Sequence, residues 1–187
     1  REVLTRSRDA VVQSDVLSGI LRGFEGRRRV DMPHYWNECY ARFQNSENED
    51  VRRRSIQLAL IFDDKSAIEQ LKSVAEDRSA KLADRTVAID SLVASKIAGF
   101  VTVLQGLIDD EAVLSNVLRG LAEYQHPETV KTILGQYSKM PVAARQQAIQ
   151  TLASRSDWAG YLLDEIEAKR IARSDVPAFT ARQVRNL

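Results

Sequence analysis

A small residue followed by an aliphatic one recurs along this chain as Ser55-Ile56, Ala88-Ile89, Val117-Leu118 and Ala148-Ile149, at separations of 33, 29 and 31 residues. Three positions before the small residue stand Arg52, Arg85, Leu114 and Arg145; three after the aliphatic one stand Ala59, Leu92, Leu121 and Leu152. Offsets of 0, 3, 4 and 7 place all four positions on one face of an α-helix. Each copy therefore reads as a helix with one face to bury, repeated at a nearly constant period. That recurrence limits the fold more than any other feature.

The intervening stretches are helical too. Phe100, Val103, Leu104, Leu107 and Ile108 form one apolar stripe, as do Val130, Ile133, Leu134 and Tyr137. The spacing predicts shorter helices over 33–44, 66–76, 97–108, 127–138 and 156–169. Pro33, Pro127 and Pro141 each sit just before an apolar-periodic run, in the first-turn position where the missing N–H costs nothing. Ser66 to Glu69 and Ser46 to Glu49 have capping-box spacing. No segment alternates long enough for a strand, and no Asn-Gly or Asp-Gly hairpin dipeptide occurs. A period near thirty built from two antiparallel helices predicts an all-α fold, a right-handed α-α superhelix in which each pair shares its core with its neighbours. Residues 1–187 are read as one such domain, with repeats at about 33–63, 64–96, 97–125 and 126–155 and partial units at both ends.

The Arg-x-x-small-aliphatic-x-x-Leu helix, following acidic loops such as "NSENED" and "IDDE", resembles HEAT repeats of the HEAT/armadillo type. The third copy lacks the Arg, and the first has Ala59 in place of Leu. Over nearly the whole chain, "LSGILRGFEGRR", "MPHYWNECYARFQNSENEDVRRRSIQLALIF", "RTVAIDSLVAS" and "LASRSDWAGYLLDEIEAKRIARSDVPAFTARQVRNL" together resemble the HEAT-repeat segment of planctomycete-type membrane-bound dehydrogenases. That resemblance implies a sugar-dehydrogenase-like β-propeller before the segment and a c-type cytochrome domain after it. It also implies an exported, periplasmic or membrane-associated parent. The start without Met and the abrupt end are read as those of a piece from a longer protein. With no Cys-x-x-Cys-His here, haem is expected only in a flanking domain, and no cofactor in this chain.

Composition narrows the function classes. Lys and Arg total 27 against 26 Asp and Glu, a net charge of +1, which is no footprint for nucleic acid. The Arg runs, Arg27–Arg29 and Arg52–Arg54, keep nucleic-acid binding open as the alternative reading, but residues 1–54 balance 11 Arg with 9 acidic residues. No apolar run approaches the roughly 20 residues of a membrane span. The single cysteine, Cys39, lies five positions from His34, on a different side of a helix, so metal ligation is not expected. Asp63-Asp64 and Asp109-Asp110 look like carboxylate pairs but fall at helix boundaries, where capping accounts for them. Trp36, Tyr40 and Phe43 share a helical face and read as core, with Tyr35 off that face and open to exposure. Gly19 and Gly23 read as a close-packing pair of helices.

No constellation suggests catalysis. The structural positions are Arg52, Arg85 and Arg145, read as rungs to loop carboxylates or carbonyls of neighbouring repeats, together with Ile56, Ile89, Leu118, Ile149, Leu92, Leu121 and Leu152 along the packing seam. Just after each aliphatic residue stand Gln57, Asp90, Arg119 and Gln150, all polar. In HEAT-type stacking this row would line the concave face, where solenoids usually bind. The expected function is a non-catalytic scaffold or protein-interaction module, with other domains of the parent or an unidentified protein as partner.

Overall fold

A computed structural model describes residues 7–27 and 29–185, with side chains described through residue 182. Arg28, inside the first Arg run, and residues 186 and 187 lie outside the described residues. The fold is all-helical, with no strand among the described residues. No helix among them is long and apolar enough to cross a membrane. The chain divides between Asp77 and Arg78 into two compact units.

The first unit holds α1 (Ala10–Gly23), α2 (Trp36–Phe43), α3 (Glu49–Ile61) and α4 (Lys65–Glu76). α1, α2 and α4 all pack on α3, which carries the first copy of the repeated frame. Its buried seam is Ser55, Leu58 and Ala59, each fully inaccessible, with Ile56 partly buried against them. Trp36 is 1% exposed; its indole stacks on Tyr40 at 5.8 Å and meets Phe62 edge-on at 4.9 Å. Trp36, Tyr40 and Phe43 are all buried, and Tyr35 is half-buried against the same cluster. Burial in this cluster pushes the Tyr40 phenol up to about 12, with the nearby Asp64 carboxylate adding to the effect.

The second unit holds α5 (Leu82–Ala94), α6 (Phe100–Gly106), α7 (Leu114–Ala122), α8 (Glu128–Gln136), α9 (Val142–Leu152), α10 (Ser156–Glu167) and α11 (Ala178–Arg185). Short 3-10 turns occupy Tyr137–Lys139 and Arg173–Asp175. α7 is the hub, contacted by α5, α6 and α9, while α10 packs on α9. Ala88, Val117 and Ala148 are fully buried, as are Ile89, Leu118, Ile149, Leu92, Leu121 and Leu152. The small residue lets each helix approach its neighbour; the aliphatic pair fills the seam.

Local signals moved in register at several places. The capping box at Ser66 does not form: Asp64 is the N-cap of α4, its Oδ1 accepting the Ala67 N–H at 3.1 Å. At α3 the cap is Asn48, whose Oδ1 takes the Val51 N–H at 3.1 Å, while Ser46 accepts the Asn48 N–H. An Asp carboxylate or Asn amide oxygen caps as well as a Ser hydroxyl, so either can take the position. Gly19 and Gly23 are not a packing pair, since nothing lies within 4 Å of the Cβ either would carry.

Three helices, α3, α5 and α10, end on a non-glycine residue in the left-handed region: Asp63 (φ 53°), Lys96 (φ 51°) and Lys169 (φ 60°). In each, the following residue's N–H reaches back to the helix: Asp64 to Ala59 O, Ile97 to Leu92 O, Arg170 to Glu165 O, at 3.0, 3.2 and 3.0 Å. These are Schellman endings, ordinarily built on glycine. Here the side chains at Asp63 and Lys96 are put to use: Asp63 takes Arg29 and Lys65, and Lys96 takes Glu123.

Candidate functional site

The second unit brings two of the four polar-row residues together. Asp90 on α5 and Arg119 on α7 approach to 3.9 Å, each with a side chain 58% exposed. Asn116, one turn earlier on α7, donates its Nδ2–H to Asp90 Oδ1 at 2.9 Å. Gln150 is exposed on α9 of the same unit; Gln57 is exposed on α3 of the first.

α5 and α7 run in the same direction, because their contacts advance together along both helices. Asp90 meets Asn116 and Arg119 near one end, and Lys96 meets Glu123 at the other. α7 and α9 are likewise parallel: Thr151 Oγ1 donates to Leu118 O at 3.1 Å, and Arg155 Nη2 to Ala122 O at 3.1 Å, one turn further along both. The C-terminal carbonyls of α7 thus receive a cation from either side. Arg155 bonds Ala122 O, and Lys96 Nζ bonds Glu123 O at 3.0 Å. Positive charge there complements the negative end of the helix dipole. Tyr124 OH closes the same end by donating to Leu92 O at 3.3 Å, and burial pushes its phenol up to about 12, with Glu123 contributing.

Between α5 and α7 lies an open recess of about 270 Å³, lined by Asp90, Val93, Ala94 and Lys96 on one side and Asn116, Arg119, Gly120 and Glu123 on the other. Gly120 makes its floor. A Cβ there would stand 2.9 Å from Val93 Cγ2 and 3.0 Å from Leu104 Cδ1. Val93 is β-branched and stiff at χ1, and Leu104 is fully buried, so neither yields freely. Gly120→Ala should therefore destabilise by about 1–3 kcal/mol through overpacking, against the ~1 kcal/mol that alanine gains in helix propensity. A urea titration showing the variant equal to or more stable than the parent would refute that packing account. Asn116, Lys96, Gly120 and Glu123 were not singled out by the sequence reading. A glycine inside the apolar stripe of α7 was the available signal for Gly120.

The repeated arginines do not form a uniform set of rungs. Only Arg85 reaches across: its Nη2 bonds Asp110 Oδ2 at 2.7 Å in the loop before α7, with side chains 3% and 9% exposed. Arg52 and Arg145 instead turn back onto the loop ahead of their own helix, to Ser46 O and to Met140 O and Ser138 O. In these two copies the nearest unsatisfied acceptors are carbonyls at the end of the preceding helix or turn. Around Asp110 the network widens, because Arg78 bonds Asp109 at 2.7 Å and approaches Asp110 at 3.7 Å. Burial pushes the Asp110 carboxyl up, but the Arg85 hydrogen bond and charge, the Ala112 N–H and the Arg78 charge outweigh it and hold it below its ordinary value.

Of the other residues weighed for chemistry, Cys39 is buried and burial pushes its thiol up, while His34 is exposed. No group of three or more His, Cys, Asp or Glu able to hold a metal occurs among the described residues. Arg29, Arg53 and Arg54 of the Arg runs bond Asp63, Asp50 and Ser14 respectively. No protein-family model matches this chain, and no match was found among curated proteins or solved structures.

Proposed function

We propose that this chain is a non-catalytic helical-repeat module of HEAT type, a scaffold that presents one exposed helical face to a protein partner. The observation that carries this reading is the parallel run of α5, α7 and α9, tied side chain to main chain at a near-constant offset. Such a run follows when helix pairs stack one upon the next, with the returning helix of each pair on the opposite layer. Supporting it further, the seam residues are buried in the three copies of the second unit, with Ile56 of the first copy partly buried, while the residue just after the aliphatic one is exposed in every copy. In the parent protein the module would hold a dehydrogenase-like propeller and a c-type cytochrome domain at a set separation. The Arg runs as phosphate clamps are the weaker reading, because Arg29, Arg52, Arg53 and Arg54 already spend donors on protein groups.

Two measurements test this. Replacing Asp90, Arg119 and Gln150 of the second unit together by Ala should leave stability within about 1–2 kcal/mol, as expected of exposed positions, and weaken binding to the flanking domains of the parent. Unfolding of that variant, or undiminished binding, would refute the interaction face. The parental assignment fails separately if the coding sequence beyond Leu187 carries no Cys-x-x-Cys-His and the sequence upstream carries no propeller.

A further inference from the structure

The bonding state of each polar group around the α5–α7 recess says what kind of partner it suits. Lys96 is committed, because its ammonium holds both the carboxylate and the carbonyl of Glu123. Asp90 is committed to Asn116. Arg119 is held more loosely: it faces Asp90 in an exposed 3.9 Å ion pair, beyond hydrogen-bond length and of a kind that contributes little. Its guanidinium, 58% exposed at the rim, can therefore exchange that contact for a closer carboxylate. The same recess is lined by the apolar Val93 and Ala94 and by the buried Gly120. At about 270 Å³ the recess is below the usual size of a small-molecule site and is open to solvent, so it suits one or two side chains of a larger partner.

We propose that this recess binds an extended peptide segment in which an acidic residue stands next to an aliphatic one. The carboxylate takes the fork of Arg119 in a bidentate pair, the geometry guanidinium favours. The aliphatic side chain covers the Val93–Gly120 lining and excludes water from that pair. The proposal rests on the interaction-module reading and names the partner class for one part of its face.

The test is selection of a phage-displayed library of random short peptides on the whole chain, followed by titration of the enriched peptides as labelled synthetic probes. Asp or Glu adjacent to Leu, Ile or Val should be enriched. Binding should fall at least about tenfold in Arg119→Ala, the loss expected for one charged hydrogen-bonded contact, and recover in part in Arg119→Lys. Circular dichroism must show both variants folded, as their exposed position leads one to expect. Enrichment of basic or uncharged sequences, or acidic peptides that bind Arg119→Ala undiminished, would overturn the proposal while leaving the module reading intact. No enrichment overturns it as well, and if the flanking domains also fail to bind, the module reading falls with it.

Discussion

Replacing Asp110 by Ala should cost the second unit about 3–5 kcal/mol, the range for breaking a buried ion pair from one side. Arg85 is the charge in question, 3% exposed and held by that carboxylate at 2.7 Å. Denaturation followed through Trp158 in a Trp36→Phe background reads this unit, since the chain has two tryptophans and the other lies in the first unit. A loss below about 1 kcal/mol, the range of an exposed pair, would show that Arg85 finds water or another acceptor. The double replacement Arg85→Met with Asp110→Leu should recover most of the loss, because removing both charges removes the desolvation cost along with the bond. The same pair makes a pH prediction. The Asp110 carboxyl is held below its ordinary value, near 3.9 in an unfolded chain. Its contribution is therefore complete above that range and fades as pH falls through the lowered folded value. Asp110→Asn should flatten that acid limb of the stability profile; an unchanged limb would assign it to other carboxylates.

Trp36→Ala should cost the first unit about 3–5 kcal/mol, in line with large aromatic truncations in a packed core. The indole is 1% exposed and joins α2 to the end of α3 through Tyr40 and Phe62. Trp36→Phe should cost far less, under about 1.5 kcal/mol as for a volume-near swap. One reason is particular to this site: the indole Nε1–H is buried without a hydrogen-bond partner, so its removal relieves an unmet donor while shrinking the ring. Equal losses for the Ala and Phe variants would mean that the indole nitrogen has a partner after all.

The all-helical class was legible in the helical periodicity of the apolar residues. The small-aliphatic pairs at 88, 117 and 148 and the leucines at 92, 121 and 152 are all buried seam, as is Ser55, with Ile56 partly buried. Helix starts were less legible, since several acceptors compete within one turn: Asp64 prevailed over Ser66, and Asn48 over Ser46. The arginines were legible as structural but not in their targets. Arg85 finds a carboxylate 25 positions on, whereas Arg52 and Arg145 find carbonyls close behind them. Which acceptor is nearest depends on loop path, and one-dimensional spacing does not encode that path. For the same reason the polar row predicted Asp90 and Arg119 but missed Asn116 and Lys96, which enter the recess from a neighbouring turn and from a left-handed helix ending.

The ties between α5, α7 and α9 have an evolutionary consequence. Thr151, Arg155 and Tyr124 each donate to a main-chain carbonyl, at Leu118, Ala122 and Leu92. Every residue type supplies such an oxygen, so only one side of each joint is under selection for identity. The receiving helix can drift in sequence at that position and still be gripped in the same place. Helices joined this way can conserve their register while their sequences grow dissimilar, and substitution at Leu118 or Leu92 is constrained by the packing of a buried apolar seam rather than by the hydrogen bond.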